Sequence, residues 1–408
     1  MDMLVSPKPS GGQGARVLMV TDVYFPRVNG VSTSIQTFRK ALRNRGYDVT
    51  VVCPRYGNEP PEEGIVRVAS RVVPLDPEDR MLAWGELVQR CDEIAAHGVD
   101  LIHIQTPFLA HYAGVKVAKR YKIPVVESYH TFFEEYLHHY VKFAPKAAMR
   151  FLARRFSASQ CNQVNGLVVP SQAMLNVLRD YGVTTKAEVV PTGIDLDQFN
   201  SGDGSRFREE HGIPPRRPVM LYVGRVVYEK NIEFLLHVTR KVREANPDAL
   251  LVIAGEGPAA AGLEKLAISL GLRDNVMFVG YLDRSGPLMD CYRAADAFIF
   301  ASRTETQGLV LLEAMALGVP VVSTAVMGTK EILENARGCV IAPENVDAFA
   351  QSVLGVLNDA ALRERLGKEA RDYSRQWAEG AFAERMDAFY RRVIEEQCGR
   401  SCQSMPAT

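Results

Sequence analysis

Charge imbalance is missing from this chain: Lys plus Arg number 48 and Asp plus Glu number 48 in 408 residues. With no global field, net charge does not recruit nucleic acid, and a charged partner must be met by a local patch. Cysteine is scarce too. The seven, at positions 53, 91, 161, 291, 339, 398 and 402, are scattered and form no Cys-x-x-Cys pair, which argues against a disulfide framework and fits a reducing compartment. An apolar run of about 18 residues, the length a spanning helix needs, is absent, and residues 1–12 have neither a long apolar core nor a basic leader. These absences predict a cytoplasmic protein rather than a secreted or membrane-spanning one.

What is present is alternation. Short apolar runs at 17–20, 49–53, 101–104, 125–128, 166–169 and 188–190 are separated by stretches of helical period, and the pattern restarts at 219–223, 250–254, 276–279, 297–300, 320–323 and 339–341. Gly and Pro clusters at 200–205 and 213–218 divide the two series. Such runs read as parallel strands covered by helices on both faces. The expectation is an α/β chain of two Rossmann-like doubly wound parallel-sheet domains, 1–200 and 201–380, facing one another across a cleft, with residues 381–408 as a C-terminal helix and tail. Doubly wound sheets bind ligands beyond the C-terminal ends of their strands, so the cleft is the expected site.

The stretch Arg303-Thr-Glu-Thr-Gln-Gly308 and its continuation to Glu313 carry the strongest chemical signal. Gly308 opens a helix and lets the backbone approach a ligand, while the N–H groups of Leu309 and Val310 and the helix dipole suit phosphate oxygens. Glu313, one turn in, reaches back toward the same place, where it can accept from a ribose diol, and Glu305 on the loop is placed for sugar hydroxyls. After strand 219–223 comes Gly224-Arg225, then Lys230. Two fixed cations stabilise a departing diphosphate without a metal. His130 follows strand 125–128 and is placed to assist at the reacting sugar; Asp195-Leu-Asp197 resembles a metal motif, a role that Arg225 and Lys230 make redundant.

These residues resemble the Glu-x7-Glu motif (Glu305 and Glu313), the Gly-Arg-x4-Lys pattern (Gly224 to Lys230) and the His-Thr pair (His130) of retaining glycosyltransferase family 4, over about residues 16–390. The resemblance implies the two-domain GT-B fold and transfer of a hexose from a nucleoside diphosphate sugar with retention. It also implies that Gly30 lies beside the donor diphosphate, that Gly255 lines the donor cleft, and that Tyr281 and Leu282 sit near the base. Where many relatives read Glu-Gly-Phe-Gly, this chain has Thr306 and Gln307, which looks like the subgroup that glycosylates membrane lipids, with Gln307 at the donor. UDP-glucose is the favoured donor, with GDP-mannose the alternative, and diacylglycerol a candidate acceptor. No cofactor is expected beyond the donor itself, which is a substrate.

Between His138 and Phe156 lie Lys142, Lys146, Arg150, Arg154 and Arg155 with interleaved apolar residues and no acid. That is a candidate surface for anionic lipid on the inner face of the cell membrane. Two readings of other classes remain at this level: a nucleotide-sugar epimerase, which needs no acceptor, and a non-catalytic module that binds donor or lipid without releasing nucleotide.

Overall fold

The computed structural model describes residues 14–73, 76–130 and 146–403. The chain divides into two compact units: residues up to Gly193 together with the segment from Glu379, and Ile194–Ala378. The division falls before residue 200 because Ile194 and Phe199 are buried in the core of the second unit.

In the first unit the order is β1 (Arg16–Val20), α1 (Gly30–Asn44), β2 (Asp48–Pro54), β3 (Ile65–Val68), β4 (Ser70–Val73), β5 (Asp76–Leu82), α2 (Trp84–Ala96), β6 (Leu101–Ile104), α3 (Leu109–Tyr121), β7 (Val125–Ser128), α4 (Lys146–Cys161), β8 (Gly166–Val169), α5 (Gln172–Asp180) and β9 (Ala187–Val189). Seven strands form one sheet in the order β3-β2-β1-β6-β7-β8-β9, parallel at every pairing. Apolar runs buried on both faces and joined by helices have no other economical arrangement. Asn29 caps α1 by accepting from Ser32 N, and Ser171 caps α5 in the same way through Met174 N. The edge strand β3 and the antiparallel hairpin β4-β5 were not expected from the sequence; β5 carries Asp, Pro and Glu in place of an apolar run.

The second unit runs α6 (Gly204–Glu210), β10 (Val219–Val223), α7 (Ile232–Ala245), β11 (Leu250–Ala254), α8 (Ala260–Ser269), β12 (Val276–Gly280), α9 (Pro287–Arg293), β13 (Ala297–Phe300), α10 (Leu309–Ala316), β14 (Val321–Ser323), α11 (Gly328–Leu333), β15 (Cys339–Ile341), α12 (Val346–Asn358) and α13 (Ala360–Ser374). Its six parallel strands are ordered β12-β11-β10-β13-β14-β15, so the order reverses between β10 and β13. That reversal opens a crevice at the C-terminal ends of the strands. The last helix, α14 (Glu379–Gln403), belongs to the first unit: Phe389 and Val393 lie against Gly166 so closely that a Cβ there would come within 2.6 Å of the Phe389 ring.

Candidate active site

In the second unit the crevice is bounded by the loops after β10 and β13. The first carries Arg225 and Lys230, the second Glu305, Gln307 and Gly308. Lys230 Nζ donates to Glu305 Oε1 at 2.5 Å, with the two side chains 21% and 17% exposed. Asn231, in the left-handed region at φ 57°, pins one loop to the other: its Nδ2 donates to the Ala301 carbonyl at 3.2 Å and to Glu344 at 3.3 Å. Arg303 Nε donates to the same Glu344 carboxylate at 2.9 Å. Arg225 is half-buried beside them; its carbonyl accepts from the Tyr222 hydroxyl at 3.0 Å. Burial, and then the charges of Glu305 and Glu229, push the Tyr222 phenol well above its ordinary range, with Arg225 opposing them. Arg225, Lys230 and Glu305 are therefore gathered around one strand end.

Gly308 begins α10 at φ 99°, a conformation that disfavours any Cβ, and a Cβ built there would lie 2.9 Å from Thr329 Cγ2. The first turn of α10 leaves the N–H groups of Leu309 and Val310 without an intrahelical acceptor. The segment before it is clamped from behind: Gly328 N donates to the Glu305 carbonyl at 2.9 Å, and a Cβ on Gly328 would meet the Thr306 carbonyl at 2.1 Å. Gln307 is buried in this contact region. Glu313 is the one acidic residue of an otherwise apolar helix and only 2% exposed. Its carboxylate is engaged at both oxygens, by Arg284 Nη2 on Oε1 and by the Tyr292 hydroxyl on Oε2 at 2.9 Å. Sequence reading missed both partners, since neither belongs to a motif and Tyr292 looks like an ordinary core aromatic.

Gly255 and Gly257 serve a close backbone approach. A Cβ on Gly255 would lie 1.9 Å from the Gly224 carbonyl oxygen and one on Gly257 would lie 2.3 Å from that of Val226, while Val226 N donates to the Glu256 carbonyl at 2.8 Å. The loop after β11 thus buttresses the loop that carries Arg225. Tyr281 is exposed and Leu282 half-buried at the end of β12, on the segment that leads to Arg284.

In the first unit His130 stands one residue beyond Tyr129 at the end of β7, with Nε2 3.2 Å from Oε1 of the buried Gln105, the first residue after β6. Burial lowers its pKa to about 4, so the ring is neutral at pH 7. Below it His103 is buried between the Ser128 hydroxyl at 2.8 Å and the Tyr390 hydroxyl at 2.5 Å, and burial takes its pKa down to about 3. Asp22, after β1, accepts from the Thr106 hydroxyl at 2.7 Å and from Ala110 N at 3.2 Å, which caps α3 from outside. Burial raises its pKa to about 6 against those hydrogen bonds. Gly30, the first residue of α1, has no Cβ conflict within 4 Å. Among the described residues its side is open, and none of them requires glycine there.

On α4, Arg150, Arg154 and Arg155 are exposed, and so are Phe151 (63%) and Leu152 (57%). Arg154 also sits over the Tyr181 ring, 5.3 Å from its centroid. Lys142, with His138 and His139, lies outside the described residues, as does the side chain of Lys146. Among the described residues no helix is long and apolar enough to cross a membrane, and no group of three His, Cys, Asp or Glu side chains is placed to hold a metal ion.

Two family models match the chain, "Glycosyltransferase Family 4" over residues 28–198 and "Glycosyl transferases group 1" over residues 203–373. The chain is 34% identical over 318 residues to an alpha-monoglucosyldiacylglycerol synthase of Streptococcus pneumoniae, covering 76% of this chain and 70% of that protein. It is 30% identical over 390 residues to a sulfoquinovosyl transferase of Arabidopsis thaliana, covering 92% and 72%. Among solved structures, sucrose-phosphate synthase from Thermosynechococcus elongatus superposes with a TM-score of 0.75 at 21% identity, covering 94% of this chain and all of that one. Two Rossmann-like units, the Glu305/Glu313 and Arg225/Lys230 sets on the strand ends of the second, and these relatives together make the chain a glycosyltransferase of family 4 with the GT-B fold.

Proposed function

We propose that the protein moves a hexose, glucose from UDP-glucose in the favoured case, to a hydroxyl of a membrane lipid such as diacylglycerol, with retention and without a metal. The observation that carries this reading is the convergence of Lys230, Glu305 and the Gly308 helix start at one switch point, with Glu313 a turn further in. Lys230, Arg225 and the amides of Leu309 and Val310 would hold the diphosphate as charge builds on it. Glu305 would orient the sugar hydroxyls and Glu313 the ribose. His130, neutral through burial, would assist at the reacting sugar, the role that the family resemblance gives it. The departing phosphate can itself take the proton of an acceptor that attacks on the same face, so no protein nucleophile is needed.

The lipid acceptor is supported by the named activity of the S. pneumoniae relative and by the surface of α4, where Phe151, Leu152 and the flanking arginines suit a peripheral contact with anionic lipid. A panel of nucleotide sugars read by thermal shift tests the donor, since a ligand at about 100 times its Kd adds about 2.7 kcal/mol of stability. The donor that wins is then supplied with vesicles of diacylglycerol and phosphatidylglycerol, and nucleotide release and the anomeric configuration of the glycolipid are measured. Release with an α-linked product from UDP-glucose supports the reading. Isomerised sugar without acceptor, or donor binding with no release on any acceptor, overturns it.

A further inference from the structure

Glu313 is a carboxylate at 2% exposure in an apolar helix, a setting in which its oxygens need hydrogen-bond partners. Arg284 Nη2 engages Oε1 and the Tyr292 hydroxyl donates to Oε2 at 2.9 Å. The match is mutual. Burial disfavours the Arg284 charge, yet the neighbouring Glu313 carboxylate more than offsets it and holds the guanidinium above its ordinary value. Each carboxylate oxygen has two acceptor directions, so both oxygens keep one after these contacts. Tyr292 is fully buried, which fixes the back of the carboxylate, whereas Arg284 keeps 20% of its side chain exposed and lies on the segment that follows Tyr281 and Leu282.

We propose that Arg284 is a positioning residue for donor recognition: paired with Glu313 and backed by Tyr292, it holds the buried carboxylate oriented so that its remaining acceptor directions take the two hydroxyls of a nucleotide ribose. The inference rests on the reading of Glu313 as the ribose acceptor. Arg284 acts through Glu313, so its removal costs affinity only where there are ribose hydroxyls to bind. Without Arg284 the carboxylate loses the guanidinium contact on Oε1, and its remaining acceptor directions are no longer fixed.

The test is calorimetric titration of the full chain with UDP and with 2′,3′-dideoxy-UDP, with the corresponding GDP pair run in parallel. The wild-type protein is expected to prefer the hydroxylated nucleotide by about tenfold to a hundredfold, as for hydrogen bonds to a charged acceptor. R284M is expected to narrow that preference below about threefold, with the loss falling on the hydroxylated nucleotide. R284K, which keeps a cation, is expected to restore part of the preference. An R284M protein that keeps the full preference, or that loses both nucleotides equally, overturns the inference while leaving the Glu313 reading in place. Should R284M not fold, R284Q carries the same comparison: a narrowed preference supports the inference and a full one overturns it. A wild-type protein that shows no preference for the hydroxylated nucleotide, or binds neither UDP nor GDP, overturns the Glu313 reading and the inference with it.

Discussion

Gly30 and Gly308 look alike in the sequence, each a glycine at the start of a helix, and the structure separates them. Gly308 sits at φ 99° with Thr329 Cγ2 2.9 Å from a would-be Cβ. Gly308→Ala should therefore cost about 1–3 kcal/mol of stability, read as a lower urea midpoint, and a midpoint equal to wild type would show that the helix start relaxes freely. Gly30 has no such conflict. Gly30→Ala should leave stability within about 0.5 kcal/mol of wild type and, on the proposal that the space beside α1 is kept for the donor, raise the KM for donor several-fold. An unchanged KM would remove Gly30 from the site. Lys230→Ala should lower kcat/KM by about a hundredfold to a thousandfold if its charge stabilises the leaving diphosphate, and a loss below tenfold would leave Lys230 only its contact with Glu305. Gly308 and Lys230 stood out in the sequence because their chemical type and spacing suit diphosphate recognition, whereas Gly30 was carried by the family resemblance alone. Arg284 did not stand out, for its function depends on Glu313 being 29 residues away in sequence and buried, which no local pattern encodes.

At the scale of elements, legibility followed burial. β10, β11 and β13 are buried along their whole length and read as continuous apolar runs, whereas β3 to β5 lie at an edge or outside the main sheet and carry polar residues that hide them. Helix α4 is a mixed case. Its basic residues every fourth position were visible in the sequence, but only the structure shows that Phe151 and Leu152 face outward with Arg150, Arg154 and Arg155 while Ala153 and Ser157 face the core. A double change, Phe151→Glu with Leu152→Glu, removes apolar area that contributes little to the fold. It should shift thermal stability by less than about 1 kcal/mol and abolish flotation with vesicles containing phosphatidylglycerol. For the wild-type protein, raising salt from 0.1 to 1 M shortens the screening length from about 10 to about 3 Å and should weaken flotation without removing it, since the apolar contact is not screened. Equal flotation of the double variant would assign α4 to ordinary solvated surface.

At the scale of the whole molecule the buried titratable groups are unevenly shared. The first unit holds His103 near 3, His130 near 4 and Asp22 near 6, all moved by burial, and Glu127 is raised for the same reason. The two histidines are neutral in the folded chain and protonate in the unfolded chain below about pH 6.5, so the unfolded state binds more protons there and stability falls as pH falls. Asp22 has the opposite sign: its folded form binds a proton first, so acidification through about pH 6 stabilises the folded state through it, and burial gives Glu127 the same sign. Between pH 7 and 6 the two histidines take up about one proton on unfolding, or about 1.4 kcal/mol per pH unit. Their share of the hydrogen-exchange protection of the β1 and β6 amides, which report the first unit by itself, should therefore drop from pH 7 to 6 after correction for intrinsic exchange. His103→Gln should reduce that drop by about half, because one of its two sources is gone. A pH response from 7 to 6 left unchanged by His103→Gln and by His130→Gln would mean that the two histidines are not held neutral by burial, and with that the neutral imidazole assigned to the reacting sugar would fail.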